Sequence, residues 1–355
     1  MTVTNIVGVD VSKATLDCHL YCQNQSLCAV PNTEKGFRQI AKWLKAHHSK
    51  KALAELLVVI EATGYYSHSF EHYLFQRKFV FVKCSALEIK LSRGLQRGKT
   101  DKGDARFIAR YGWMKKDELI PMKPVPIEVI QLQQLMNFRD RLVMDRASYQ
   151  GRMKNITDQM KLYNHTDLRA SSDTVIRTLK LEVRHIEGVI LRYLQGHTDF
   201  WKTYQLLTSI VGVGFASAVH FIIATENFTK FSNARKLVCY CGVAPFPYES
   251  GSSIRQRART SVFANKKLKS LLSQGALSAL QVDPAFKRKF DQKIKEGKHK
   301  LSVLNILRAK LIYRMFAVIK RGTPFQSEVP KTGRQKGAGT DLWTGSWPPS
   351  GVTSQ

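Results

Sequence analysis

A chain of 355 residues is long enough to bury two separate cores, and 43% hydrophobic with 23% charged residues excludes a disordered protein. A formal net charge of +29 speaks of partners rather than fold, and the usual partner of such an excess is a polyanion, nucleic acid above all. No apolar run approaches the roughly 18 residues of a membrane-spanning helix, and the run Asn5–Val11 is short and ends on Asp10, unlike a signal peptide.

The expected compartment is therefore the cytosol, where Cys18, Cys22, Cys28, Cys84, Cys239 and Cys241 stay reduced. From Ile6 to Pro31 apolar residues alternate, with breaks near Ser12 and Gln23, which predicts two or three short strands in a meander. Cys18, Cys22 and Cys28 fall inside this pattern without a second ligand pair, so they read as ordinary thiols rather than a zinc site. Asn32 and Thr33 predict the cap of a helix through Phe37, Ile40 and Leu44. A strand Leu56–Ile60, a helix Tyr66–Gln76 and a strand Phe79–Lys83 follow. A meander followed by alternating strands and helices predicts a mixed α/β sheet.

The segment Ala105–Met114 has helical composition, and Asp101 precedes Asp104 by three residues, so both carboxylates share one face. Pro121, Pro124 and Pro126 mark a linker. Beyond it Leu135, Phe138, Leu142, Tyr149, Met153, Ile156, Met160 and Tyr163 recur mostly at spacings of three and four, as do Val175, Leu179, Val183, Ile186, Ile190 and Tyr193. Two long amphipathic helices are expected, as a coiled-coil arm or as a plain pair packed on the core. Leu207–Ala216 reads as helix, turn and helix, with Gly212 and Gly214 either admitting a phosphate to the backbone or serving a simple interhelical turn. From Ser250 to Lys300 Lys and Arg far outnumber the acids; Arg255, Arg257, Arg259, Lys266 and Lys267 are candidate nucleic-acid contacts. The residues from Ser327 to Gln355 are rich in Gly, Pro, Ser and Thr and read as a disordered tail without a catalytic role. The expected division is 1–120, 121–203, 204–326 and 327–355, with the third part mainly helical.

Asp10 and Glu61 interrupt apolar strands at their C-terminal ends, where α/β sheets place ligands, and packing gives no reason for acids at both positions. Together with Asp101 and Asp104 they make a candidate set of magnesium ligands, because Mg²⁺ takes hard oxygen donors and leaves room for substrate phosphate. Two such ions about 4 Å apart can clamp both the attacking and leaving oxygens of a phosphoryl transfer. Lys13, Arg93, Arg97, Lys99 and Lys102 would draw a polyanion towards these acids.

The ordered series GVDVSK at Asp10, IEATG at Glu61, KTDKGDA at Asp101 and Asp104, IVGVG at Gly212 and Gly214, then YCGVAP and ESG, resembles the DEDD-type insertion-sequence transposases, also described as bridge-RNA-guided recombinases. The resemblance runs to about Phe325 and implies an N-terminal domain of the RuvC-like, RNase H-like fold. It implies that Ser250 is a nucleophile forming a covalent phosphoserine, with Ser252 and Ser253 close by in sequence. It implies as well an element-encoded noncoding RNA that pairs with donor and target DNA, and a dimer-based tetramer that holds two DNAs. Carboxylates and serine in different domains would allow an active site shared between protomers. Three rival readings of the residues are a junction-resolving nuclease using the acids alone, a non-catalytic nucleic-acid-binding protein and a sugar kinase of the same ancestral fold. The basic second half speaks against the last.

Overall fold

The computed structural model describes residues 3–62, 64–92, 101–159, 166–250, 254–260 and 264–326, as backbone alone at 101–103, 156–159, 246–250 and 254–259. It divides into two compact units, Met1–Ile130 and Gln131–Gln355.

The first unit is built on a mixed five-stranded sheet of order β3-β2-β1-β4-β5. β1 (Asn5–Val11), β2 (Thr15–Leu20) and β3 (Gln25–Pro31) form the antiparallel meander, with all three strands present. α1 (Glu34–His47) and a short α2 (Lys50–Ala54) lead to β4 (Leu56–Glu61), which pairs parallel to β1. A 3-10 turn (Gly64–Ser67) and α3 (His68–Gln76) precede β5 (Val80–Cys84), parallel to β4. α4 (Ala86–Ser92) and α5 (Asp101–Met114) complete the unit. This arrangement is consistent with the RNase H-like fold. Thr33 sits at the N-cap of α1, but its side chain makes no capping bond. Sequence periodicity misses α2 and α4, whose five and seven residues span too few turns to show it.

Because successive strand residues point to opposite faces, the sheet has two cores. Val7, Val9 and Val11 of β1 with Val58 and Ile60 of β4 pack against Phe37, Ile40 and Leu44 of α1 and Phe70 and Leu74 of α3. On the other face Ile6, Leu57 and Val59 meet Ile108 and Tyr111 of α5. Two glycines set how closely α5 lies on that face. A Cβ at Gly8 would stand 2.2 Å from the Ala109 nitrogen and 2.4 Å from the Ala105 carbonyl oxygen, and one at Gly112 would stand 2.6 Å from a Val59 methyl. The helix backbone therefore rests directly on β1.

The second unit is mostly helical. Its elements are α6 (Ile127–Gln159, which starts at the junction), α7 (Thr166–Gln195), α8 (Thr198–Thr208), α9 (Phe215–Ala224), α10 (Ala234–Tyr240), α11 (Lys266–Val282), α12 (Pro284–Lys295) and α13 (Lys300–Arg321). A hairpin of β6 (Pro245–Ser250) and β7 (Ile254–Thr260) interrupts them. Apolar periodicity does not reveal that hairpin, although Arg255, Arg257 and Arg259 alternate at the period of a strand. The two long helices are joined by Arg139, whose Nε and Nη2 donate to Glu187 Oε1 at 2.9 and 2.7 Å, and by Tyr193, whose hydroxyl donates to Gln131 at 2.9 Å. The buried residues of α7, Val183, Ile186, Ile190 and Leu194, all lie in its C-terminal half.

Asp140 ties three helices of this unit together. Its Oδ2 accepts from His220 Nε2 of α9 at 3.0 Å and from Lys267 Nζ of α11 at 2.8 Å. Burial works against ionising this carboxyl, but the hydrogen bonds from His220 and Lys267 outweigh it and hold the group well below the usual carboxylate range. All six cysteines are free, and among the described residues no helix is long and apolar enough to cross a membrane.

Candidate active site

The same alternation that builds the two cores places Asp10 and Glu61. Asp10 shares its face with Ile6 and Gly8, and Glu61 shares its face with Leu57 and Val59, so both belong to the α5 side of the sheet. The register of β1 and β4 pairs Val9 with Ile60, which leaves Asp10 and Glu61 as neighbours at the C-terminal ends of parallel strands. Asp104, 6% exposed in the first turn of α5, comes to the same place because its neighbour Ala105 is seated over Gly8.

Electrostatics link the three acids. The Asp10 carboxyl is pushed up to about 6, first by burial and then by the charges of Glu61 and Asp104, with a smaller contribution from Asp17. The Val11 backbone amide opposes this only in part. Asp17 lies across the sheet from Asp10 on β2 and accepts the Ala29 amide at 2.9 Å. Lys83, one position before the end of β5, faces the opposite core and donates to buried Glu71 at 2.7 Å. The alternation therefore turns this lysine away from Glu61.

These donors are hard oxygens whose mutual repulsion a divalent cation would relieve, so their chemistry fits Mg²⁺. Among the described residues no group of three or more His, Cys, Asp or Glu side chains is close enough to hold an ion. Asp101 is the first residue of α5, and its side chain lies outside the described ones, as do Arg93, Arg97 and Lys99 and the side chain of Lys102. Lys13 is exposed in the turn between β1 and β2.

Sequence reasoning assigns Asn32 to a helix cap, but the structure uses it as a clamp. Its amide donates to the Ser12 carbonyl at 2.9 Å and to the Tyr66 carbonyl at 3.1 Å, tying the turn after β1 to the turn after β4. Both acid-bearing strand ends are held by this one side chain. Its only sequence signal is an Asn at the end of a strand, which caps and turns share.

In the second unit Ser250 is the last residue of β6 and pairs with Ile254 of β7, while 251–253, with Ser252 and Ser253, lie outside the described residues. Arg255, Arg257 and Arg259 occupy alternate positions of β7, with Arg255 opposite Glu249. The hairpin is anchored where Lys269 of α11 donates to Thr260 at 3.1 Å. Lys266 and Lys267 are exposed in the first turn of α11, whose N-cap Asn265 accepts the Leu268 amide. Of the two, Lys267 is engaged by Asp140.

Gly212 has φ +90°, and a Cβ there would stand 2.2 Å from the Gly275 carbonyl oxygen, while one on Gly275 would stand 2.3 Å from the Gly212 oxygen. This glycine seats the turn between α8 and α9 on α11. Gly214 caps α9 without a side-chain bond to the first amides. A cavity of about 540 Å³ beside that helix end is lined by Thr208, Ser217, Gln274 and Ser278 among others.

Comparison with known proteins gives matches in both units. A family model for a transposase of the IS110 DEDD type matches residues 7–162, and a model described as transposase of the IS116/IS110/IS902 family matches residues 204–291. A pilin gene-inverting protein of Moraxella bovis is 26% identical over 328 residues, covering 91% of this chain and 98% of that one. The pilin gene-inverting protein of Moraxella lacunata matches to the same extent. An uncharacterized 43.6 kDa protein of insertion element IS110 from Streptomyces coelicolor is 29% identical over 161 residues, covering 45% of this chain and 38% of that one.

Proposed function

The chain belongs to the IS116/IS110/IS902 family of transposases, enzymes that cut and rejoin DNA, and from that premise we propose a divalent-metal-assisted recombinase that works through a covalent phosphoserine. The observation that carries the metal-assisted part is the convergence of Asp10, Glu61 and Asp104 on one face of the sheet, where burial first and then the charges of Glu61 and Asp104 lift Asp10 to about 6, in a protein of net charge +29. The similarity to proteins named for inverting a pilin gene supports rejoining rather than simple hydrolysis.

When bound, Mg²⁺ would supply Lewis-acid stabilisation of phosphoryl oxygens. Asp10, Glu61, Asp101 and Asp104 would hold it. Ser250 Oγ attacks the phosphorus of the DNA backbone as its proton leaves to solvent; the Oγ–P bond forms, and the P–O bond to the departing strand breaks, that oxygen taking a proton. Attack by the hydroxyl of a new strand reverses the step and returns the serine hydroxyl, so the energy of the phosphodiester is conserved. Arg255, Arg257 and Arg259 stabilise the charge that builds on the phosphoryl oxygens. Lys13, Arg93, Arg97, Lys99, Lys102, Lys266 and Lys267 contact the DNA backbone, with Gly212 and Gly214 admitting it to the α9 terminus.

Two further parts of the proposal rest on the family resemblance, and a third, the tail, rests on its composition. An element-encoded RNA reads the sequence, with the protein reading backbone shape. The protein assembles as a dimer-based tetramer, with α6 and α7 as a coiled-coil arm. The tail from Ser327 is dispensable.

The test is product analysis. Incubated with Mg²⁺, candidate guide RNA and end-labelled donor and target DNA, the protein is expected to yield strands joined to new partners, and chelation should remove them. Cleaved strands without any joined product would instead identify a nuclease.

A further inference from the structure

A second charged feature lies at the opposite end of the first unit's strands from the acids. A cavity of about 490 Å³ opens between α1, the segment before β4 and the segment before β5. Leu53 and Phe79 floor it, with buried Tyr73 beneath, and Lys42, Lys45, Arg77 and Lys78 surround it. Arg38 also reaches the rim, but it is neutralised by Glu34 one turn away. The other four cations make no ion pair among the described residues, and Arg77 lies over the Tyr73 ring at 5.6 Å. Glu55, next to Ala54 of the lining, leaves the groove strongly positive.

The groove is made by regular elements rather than by a loose surface. Arg38, Ala41, Lys42 and Lys45 recur at the spacing of one face of α1. α3 ends in a Schellman arrangement, the Phe79 amide donating to the Leu74 carbonyl at 2.9 Å and the Lys78 amide to the Phe75 carbonyl at 3.0 Å. Lys78 takes the left-handed position of that motif, φ +62°, where glycine would be unstrained. This motif brings the Lys78 ammonium to the groove beside Lys42, Lys45 and Arg77.

Leu53 precedes β4, and Lys78 and Phe79 precede β5, whereas Glu61 ends β4. The groove and the acids are therefore separated by the length of a six-residue strand, on the order of 20 Å. One scissile phosphate cannot reach both.

We propose that this groove binds a single-stranded nucleic-acid segment away from the reacting one, with phosphates on Lys42, Lys45, Arg77 and Lys78 and an unstacked base over the apolar floor. The four cations surround a floor to which the partly exposed Leu53 and Phe79 give apolar surface, and cations around an aromatic or apolar platform are the combination that single strands select. A duplex keeps its bases stacked and would leave the floor empty. DNA and RNA strands offer the same phosphate and base chemistry, so both are probed.

The experiment measures binding of a short oligothymidylate and a short oligouridylate to the full chain carrying Asp10→Asn, without metal, as a function of salt. No strand is cut under these conditions, so failure here and failure of the recombinase reading are separate results. The variant Lys42→Ala/Lys45→Ala/Arg77→Ala is compared with Arg169→Ala/Arg177→Ala/Lys180→Ala, which removes the same charge from exposed positions of α7. Loss of about three phosphate contacts is expected to reduce the slope of log affinity against log salt by about 2 and affinity by tenfold or more relative to the control. A loss with one oligonucleotide alone would assign the groove to that strand chemistry. Equal losses in the two variants, or no loss with either oligonucleotide, would overturn the proposal. All the substituted side chains are exposed, and matching thermal unfolding of both variants excludes misfolding as the cause.

Discussion

Asp10→Asn is expected to lower DNA cutting by at least about 10³-fold and at the same time to stabilise the metal-free protein at neutral pH. The two effects have one origin. Asp10 is raised from its ordinary carboxylate value to about 6 by burial and by Glu61 and Asp104. A carboxyl raised in the folded state binds its proton more tightly than in the unfolded chain. The folded state therefore loses stability as pH rises from about 4 to about 6, and the loss is complete above that window. Two pH units correspond to about 3 kcal/mol, and because the group is only half-buried roughly 1–2 kcal/mol is the realistic share. Asparagine removes the charge and with it this cost. Thermal unfolding in chelator should show the variant more stable than the wild type by a few degrees at pH 7.5, with the difference closing towards pH 4. Added Mg²⁺ should then raise the wild-type midpoint and leave the variant nearly unmoved. A variant less stable than the wild type at neutral pH would mean that Asp10 is a structural residue with satisfied partners.

Gly8→Val is expected to cost about 3 kcal/mol or more and to abolish activity, although the residue carries no chemistry. A Cβ at this position meets the Ala109 nitrogen and the Ala105 carbonyl oxygen, both backbone atoms, so no side chain can turn aside to admit it. The only relief is for α5 to lift from β1, which opens the core around Ile108 and Tyr111 and carries Asp104 away from Asp10. Even Gly8→Ala should show most of the effect. The comparison is Gly151→Ala in α6, where a Cβ has nothing within 4 Å and the helix gains up to about 1 kcal/mol. Denaturant midpoints of the two variants, moving in opposite directions, would check the argument. A Gly8→Val protein as stable as the wild type would contradict it.

The strand positions of Asp10 and Glu61 were legible because an acid ending an apolar run is a local anomaly. Asp104 was legible because it lies at a helix start beside Asp101. What brings the three together was not. GVDVSK shows a glycine without showing that a helix from nearly a hundred residues later rests on it, and Asn32 carries no mark separating a cap from a clamp between strand ends. Asp140 had no signal either, since its partners His220 and Lys267 are 80 and more residues away and an acid on a long helix reads as surface charge. Gly212 shows how one residue serves two readings. Its positive φ fits a tight turn at a phosphate, and its contact with Gly275 gives a packing reason sufficient by itself. The hairpin of β6 and β7 escaped because charge alternation lacks the apolar face that normally reveals a strand. For all but this hairpin the missing information was long-range contact, which local pattern does not hold.

The most direct test of the recombinase account is a denaturing protein gel of the full chain after incubation with Mg²⁺, guide RNA and labelled DNA, run beside Asp10→Asn and Ser250→Ala. The account predicts label that stays with the wild-type polypeptide, requires Mg²⁺, and is missing from both variants. Label retained by Ser250→Ala, or cleaved DNA in the wild type without any label on the protein, would contradict it.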